Sequence, residues 1–181
     1  MPMKVILLYG LPCSGKSSAI KALPACDRLA VDDVIKNYVH EPSITDFERF
    51  SKIIVNELIA RVKQSSSSCC ILEMGCLIQL TATDYLQEEL IKSGVEMINI
   101  TLHAEDTVLI KRIIERNGLI GQGLSGSLPV HGPDYLSRFK QVFDKNKPLK
   151  TKRLDTSQLT PDEVIVKIKQ IIANDDQFIT L

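Results

Sequence analysis

Residues 4–18 read KVILLYGLPCSGKSS, and this stretch decides the fold. Five of its first six residues are apolar, which is typical of a short central strand buried on both faces of a parallel sheet. The residues from Gly10 to Ser17 match the pattern G-x-x-x-x-G-K-[ST]. A helix is expected at about 15–23, because Pro24 cannot continue it. The stretch therefore predicts a strand, a tight loop and a helix in direct succession.

A loop of this composition is suited to binding phosphate groups. Glycines let the backbone curl so that successive N–H groups point at phosphate oxygens, and the helix N-terminus adds partial positive charge. In this motif Lys16 reaches the β- and γ-phosphates, and the Ser17 hydroxyl ligates Mg²⁺. The alternative is a strand-to-helix turn that binds no ligand. We expect ATP and Mg²⁺ as cofactors, with binding by Gly10, Pro12, Cys13, Ser14, Gly15, Lys16, Ser17 and Ser18.

Strand-like and helix-like segments alternate through the rest of the chain. Short apolar runs predict four further strands, at 28–31, 70–74, 96–102 and 151–154. Apolar positions at helical spacing predict helices at 44–62, 83–92, 106–116 and 161–173. Such alternation predicts an α/β fold in which helices cover both faces of a parallel sheet.

Size and charge limit the classes of protein to consider. A chain of 181 residues is expected to form one domain over 1–181. The 22 basic and 22 acidic residues balance, which argues against a large electrostatic footprint for duplex nucleic acid or an anionic membrane. No apolar run approaches the roughly 20 residues that span a bilayer, and we identify no signal peptide. We expect a cytoplasmic protein whose five cysteines are reduced and mostly buried.

One segment interrupts the alternation. Residues 117–132 contain five of the nine glycines, which is long for a connection inside a compact domain. Another helix, with Phe139 and Phe143 on one face, follows and ends before Pro148. A glycine-rich segment followed by a helix predicts a mobile lid at about 117–136. The alternative is a plain disordered loop.

Acidic residues follow two of the predicted strands. In open α/β sheets ligands bind at the carboxyl ends of the strands. Asp32 and Asp33 follow the second strand, where a carboxylate can accept the proton of an attacking hydroxyl. Asp33 also fits as the N-cap of the next helix. Glu73, at the end of the third strand, fits two interpretations: it holds a Mg²⁺-bound water beside Ser17, or it forms a salt bridge at the rim.

From Lys4 to about Ile172, the chain resembles the small P-loop kinases, including polynucleotide kinases, chloramphenicol phosphotransferases and zeta-type toxins. The resemblance rests on the P-loop, the Asp32-Asp33 pair and the Glu-x-Gly at Glu73. It implies a P-loop NTPase fold with a lid and a five-stranded parallel sheet in the order 2-3-1-4-5. It also implies that the first acid of the pair, Asp32, is the catalytic base.

Two arginines before the lid extend the resemblance. Arg112 and Arg116 lie four residues apart on one predicted helix. In related P-loop kinases the first arginine stacks on adenine and the second contacts phosphates, and a planar, always-charged guanidinium suits both roles. The alternative is a solvated helix face paired to Glu115 or Asp106. By resemblance, Lys16, Asp32 and Arg116 are expected to act in catalysis.

The expected activity is transfer of the ATP γ-phosphate to a hydroxyl of a small-molecule acceptor. One alternative is a polynucleotide 5′-hydroxyl kinase, and another is a nucleotide-binding regulatory or toxin-like module with weak ATPase activity. Nucleic acid is disfavoured, because Ile35 stands where the polynucleotide kinase pattern has an arginine and no dense basic patch is present. Residues 34–51, which are expected to bind the acceptor, are too mixed in chemistry to identify it.

Overall fold

The computed structural model describes residues 3–21, 27–36, 38, 47–74, 80–121, 136–146 and 150–175. These residues form five strands: β1 (Lys4–Gly10), β2 (Asp27–Ala30), β3 (Cys69–Glu73), β4 (Glu96–His103) and β5 (Lys152–Asp155). They also form seven helices: α1 (Lys16–Lys21), α2 (Val31–Lys36), α3 (Phe47–Gln64), α4 (Leu80–Lys92), α5 (Asp106–Gly121), α6 (Leu136–Asn146) and α7 (Pro161–Asp175).

The five strands form one sheet in the order β2-β3-β1-β4-β5, and every neighbouring pair is parallel. The predicted fold class and strand order are therefore confirmed. β1 lies at the centre, with Leu8 beside Glu73 of β3 and Gly10 beside Leu102 of β4. Parallel strands all end at the same edge of a sheet, so the loop after β1 and the residues ending β3 and β4 come together there.

Two apolar cores cover the two faces of the sheet. Alternate residues of β1 point to opposite faces, so Val5, Leu7 and Tyr9 lie in one core and Ile6 and Leu8 in the other. The first core takes in apolar side chains of α2 to α6, and the second takes in those of α1 and α7. Burying each large aliphatic side chain contributes about 1.5–3 kcal/mol. Both faces of β1 are thus anchored directly before the loop at Gly10.

The helices agree with their sequence patterns. In α3, Ile54, Leu58 and Val62 recur at helical spacing, and all three are fully buried. In α7, the Thr160 N–H donates to Glu163 Oε2 at 2.8 Å, and the Glu163 N–H donates to Thr160 Oγ1 at 3.3 Å. This capping box lowers the pKa of Glu163, first through the Thr160 backbone N–H and then through its hydroxyl. No helix in the described part of the chain is long and apolar enough to cross a membrane.

The predicted boundary between α5 and the lid is wrong. The prediction ended the helix at Arg116, whereas α5 continues to Gly121. An exposed glycine such as Gly118 weakens a helix by about 1 kcal/mol but leaves its backbone hydrogen bonds in place. No proline that would end the helix occurs between Gly118 and Pro129. The first part of the predicted lid, 117–121, is therefore helical. The rest of it, 122–135, lies outside the described residues.

The cysteines differ from the expectation in one respect. Cys13 and Cys70 are free thiols, and burial raises the pKa of Cys70. Cys69 is disulfide-bonded, so the prediction of reduced thiols is wrong at this position. Successive residues of a strand face opposite ways, and Cys70 therefore enters the core while Cys69 lies on the other face of β3, half-buried.

Candidate nucleotide-binding site

The loop between β1 and α1 has a backbone that its sequence requires. A Cβ at Gly10 would lie 2.3 Å from Ser14 Oγ and 2.8 Å from the carbonyl oxygen of Leu102, so only glycine fits there. Gly15 has φ of 100° and Cys13 has φ of 63°. Side chains disfavour such angles, and the strain at Cys13 costs on the order of 1–3 kcal/mol. A backbone in which residues of positive φ alternate with residues of ordinary φ forms a concavity lined by N–H groups, and such concavities bind anions.

Lys16 is folded into this loop. Its Nζ donates to the carbonyl oxygens of Gly10 at 2.7 Å and Leu11 at 3.0 Å. The ammonium group thus lies between the end of β1 and the start of α1, within the curve of the backbone. A positive charge there, beside the N–H groups of the loop, makes the site strongly attractive to phosphate oxygens.

Ser17, Glu73 and Arg28 meet beside the loop. The Ser17 hydroxyl donates to Glu73 Oε1 at 2.6 Å, and Arg28 NH2 donates to Glu73 Oε2 at 3.2 Å. The carboxylate of Glu73 forms the salt bridge of one interpretation, and it also lies against Ser17, while its part in holding a Mg²⁺-bound water stays a prediction. Its side chain is only 13% exposed, and the contact with Arg28 supplies the opposite charge that a carboxylate removed from water requires.

The oxygens of Ser17 and Glu73 suit magnesium. Mg²⁺ takes oxygen ligands, keeps several waters, and is usually held by one or two protein groups together with substrate phosphates. Among the described residues, no group of three or more His, Cys, Asp or Glu side chains is placed to hold a metal. The pair fits an ion shared between the protein and a nucleotide.

Arg112 joins the loop to the end of the sheet. Its NH1 donates to the Cys13 carbonyl at 3.4 Å and to Thr156 Oγ1 at 3.2 Å, and its NH2 donates to the Thr156 carbonyl at 2.8 Å. The alternative of pairing with Glu115 or Asp106 is wrong for Arg112, because those acids contact Lys111 and Lys140.

Thr156 is the centre of this contact and is fully buried. Its hydroxyl lies 3.1 Å from the Ser14 carbonyl and 3.0 Å from the His103 carbonyl, and its N–H donates to His103 at 2.8 Å. The loop after β1, the end of β4 and the loop after β5 are thereby tied together. Next to it, hydrogen bonds from the Ser157 hydroxyl and N–H lower the pKa of Asp155.

The structure gives the burial of four further predicted site residues: Arg116, Pro12, Ser18 and Ser14. Arg116 lies one helical turn beyond Arg112 on α5 and is half-buried. Pro12 is half-buried and Ser18 is exposed at the first turn of α1. Ser14 is fully buried, and its hydroxyl has no hydrogen-bond partner among the described residues. Its backbone groups bond within the protein, since its N–H donates to the Leu11 carbonyl at 3.2 Å and its carbonyl accepts from Thr156.

The acidic pair is on a helix and not in a loop. α2 begins at Val31, directly after β2, so Asp32 and Asp33 both lie in its first turn. The prediction that Asp33 caps this helix is wrong, because the helix starts two residues earlier. Asp33 is exposed, and the side chain of Asp32 lies outside the described part of the structure. An acid in the first turn still interacts favourably with the helix dipole.

Sequence reasoning missed the roles of two residues. The sequence pattern assigns no role to Thr156, yet its bonds hold Arg112 and the loop. For Arg28 the pattern predicts only the first residue of a strand. Neither has a motif of its own, because their partners lie 44 and 45 residues away along the chain. The hydroxyl in the Asp-Thr-Ser turn after β5 was the one local signal.

Similarity to known proteins is clear at the level of structure. No protein-family model and no curated protein matches the sequence. A gluconokinase from Sinorhizobium meliloti 1021 superimposes with a TM-score of 0.65 and 18% identity over 98% of each chain. The tunicamycin resistance protein of Deinococcus radiodurans superimposes with a TM-score of 0.61 and 14% identity over 95% of each chain. At such identity the likeness establishes the fold alone, and the chain accordingly has the P-loop NTPase fold.

Proposed function

We propose that this chain is an ATP-dependent phosphotransferase that moves the γ-phosphate to a hydroxyl of a small-molecule acceptor. The observation that carries the proposal is the loop itself. Lys16 is enclosed by the backbone from Gly10 to Leu11, and Ser17 beside it contacts the carboxylate of Glu73. A backbone cradle, a lysine and an oxygen pair for a metal are the parts that phosphoryl transfer requires.

In this proposal the nucleotide side of the site works by positioning and by neutralising charge. Backbone N–H groups of the loop hold the β- and γ-phosphates, and Lys16 neutralises charge on them. Ser17 and Glu73 would hold Mg²⁺, which supplies further charge neutralisation when bound. Arg112 lies between the loop and Thr156, where adenine is expected. Arg116, one turn further along α5, is assigned to the phosphates by the resemblance.

The acceptor is proposed to enter from the α2 side of the loop. Ala30, the last residue of β2, lies beside Glu73 in the sheet, and α2 starts directly after it. We call the Ser17–Glu73 pair the magnesium corner. Asp32 follows Ala30, the neighbour of Glu73, by only two residues. We assign it the role of accepting the proton from the acceptor hydroxyl as that oxygen attacks the γ-phosphate. The balanced charge of the chain favours a small acceptor over a nucleic-acid end.

The test is a screen of acceptors with ATP labelled at the γ-phosphate. Because the superimposed structures include a gluconokinase and a tunicamycin resistance protein, gluconate and tunicamycin belong in the screen beside nucleosides, other sugars and phenicol-like drugs. Transfer of label to one small hydroxyl compound, abolished in Lys16→Ala, is the expected result. Efficient labelling of a 5′-hydroxyl oligonucleotide would overturn the choice of acceptor, and release of phosphate alone would indicate an ATPase module.

A further inference from the structure

We infer that Arg28, on the edge strand β2, is a positioning residue for the magnesium corner of the site. It acts through Glu73 and touches neither metal nor nucleotide. The inference rests on the proposed nucleotide site and assigns a residue that no motif includes. The two oxygens of the Glu73 carboxylate are divided between two partners: Oε1 accepts from Ser17 at 2.6 Å and Oε2 accepts from Arg28 at 3.2 Å.

The contact between Ser17 and Glu73 fixes the direction of the serine lone pairs. A serine hydroxyl has one proton and two lone pairs. When the proton is donated to Glu73 Oε1, the lone pairs point away from the carboxylate, which is where a metal ion bound to Ser17 has to lie. Glu73 therefore prepares Ser17 to be a ligand, as long as Oε1 keeps its place.

Arg28 is what keeps Oε1 in place. The terminal torsion of a glutamate is broad, so a carboxylate held at one oxygen turns easily. The ion pair at Oε2 fixes the second oxygen and with it the plane of the group. Glu73 is also largely removed from water, so losing its cation would leave a poorly compensated charge beside Ser17.

The register of the sheet explains how an arginine at the start of β2 reaches this corner. Arg28 pairs with Ile71, and Ala30 pairs with Glu73. Residues two apart on a strand share a face, so Arg28 lies on the same face as Glu73, one pleat before it. Its side chain is 43% exposed, and removing it leaves no cavity in either core. The fold is therefore expected to survive substitution.

A purely electrostatic role for Arg28 and a positioning role have opposite effects on Mg²⁺ affinity, so an experiment can distinguish them. If Arg28 only placed a positive charge near the metal, removing it would strengthen Mg²⁺ binding, because like charges repel. If it positions Glu73, removing it weakens Mg²⁺ binding. Groups that orient metal ligands typically contribute 10- to 100-fold to metal affinity.

The experiment measures binding of a fluorescent ATP analogue while Mg²⁺ is titrated, and repeats it in EDTA. For Arg28→Ala we expect the Mg²⁺ concentration at half-maximal effect to rise about 10-fold. Affinity for the analogue in EDTA should stay within about twofold, since the loop and Lys16 are untouched. Arg28→Lys, which restores the charge without the planar fork, should recover part of the loss.

The matched control is Arg61→Ala, an arginine of similar exposure whose removal breaks an ion pair to Glu57 on α3, at 2.8 Å. It should leave the Mg²⁺ titration unchanged. An unchanged or lower Mg²⁺ requirement in Arg28→Ala overturns the inference, and so does an equal loss of affinity in EDTA. A wild-type chain that binds the analogue with Mg²⁺ but phosphorylates no acceptor contradicts the proposed activity and leaves this inference standing.

Discussion

The two halves of the carboxyl edge of the sheet differ in how their polar groups are bonded. The nucleotide half consists of the loop after β1, α5 and the loop after β5. Within it, the single residue Thr156 is hydrogen-bonded to Ser14, His103 and Arg112. In the helical half, where α3 and α4 pack on β1, the Tyr9 and Ser51 hydroxyls are buried without a hydrogen-bond partner among the described residues. The first half has two exceptions among the described residues, the Ser14 hydroxyl and the Nε of Arg116, a residue that has another interaction.

This difference is informative because burying an unpaired hydroxyl costs about 1–3 kcal/mol. The nucleotide half is bonded as a preorganised site, in which charge and dipoles are held in place before a ligand arrives. The helical half carries polar groups that destabilise the empty protein. Burial, and then the charge of Asp84, raise the pKa of Tyr9, so its hydroxyl stays protonated and is available to donate.

The largest expected effect separates chemistry from binding. Asp32→Asn should lower phosphorylation of an acceptor by about 10²–10⁴-fold, because a general base is lost. ATP affinity should change by only a few-fold, since the nucleotide half is intact. Steady-state rates and calorimetric titration measure the two quantities. Asp33→Asn is the control: it removes a negative charge from the first turn of α2 and should cost about 1 kcal/mol of stability at most. Equal loss of rate in both variants would contradict the assignment of the base.

The next effect tests the nucleotide half directly. Lys16→Ala removes a charge-assisted contact to phosphate, which contributes about 1.5–3 kcal/mol. We expect the dissociation constant for ATP with Mg²⁺ to rise roughly 10- to 150-fold, with the circular dichroism spectrum unchanged. Lys92→Ala, an exposed lysine at the end of α4, is the control. An unchanged dissociation constant in Lys16→Ala would show that the loop does not hold phosphates.

A smaller effect is expected at the centre of the nucleotide half. Thr156→Val keeps the shape of the side chain but leaves the Ser14 and His103 carbonyls without its hydroxyl. The free energy of unfolding should fall by about 1–3 kcal/mol, measured in urea, and ATP affinity should fall with it. Thr156→Ser restores the hydroxyl and should recover both. If the valine variant kept full ATP affinity, the bonds at Thr156 would matter for folding alone.

The smallest effect has the opposite sign and belongs to the helical half. Tyr9→Phe removes a buried hydroxyl that has no partner, so the free energy of unfolding should stay the same or rise by about 1 kcal/mol. Tyr85→Phe, at an exposed tyrosine of α4, should have no effect. Urea unfolding measures both. Destabilisation by more than about 1 kcal/mol in Tyr9→Phe would mean that the hydroxyl is satisfied and that the two halves are alike.

Patterns of neighbouring residues were sufficient to predict the strands, most of the helices and the loop after β1. Apolar runs and helical spacing predicted strands and helices because burial on one or two faces leaves a period in the sequence. The tight loop was predicted from Gly10 and Gly15, because close contact at the first and positive φ at the second exclude side chains there. Helix boundaries were less accurate: Gly118 does not end α5, and α2 starts before the acidic pair. Ends of helices depend on small differences in energy that neighbouring residues decide.

The sequence by itself determined the strand–loop–helix unit at residues 4–18 and the alternation that makes a parallel α/β sheet. Each of these depends on neighbouring residues, whose effects are visible along the chain. Only the tertiary structure decided that Arg28 reaches Glu73, that Glu73 contacts Ser17, and that Thr156 joins Arg112 to the loop. Those contacts join residues 44 to 142 positions apart. They arise from the order and register of the strands, which bring distant strand ends to one edge of the sheet and which no local pattern encodes.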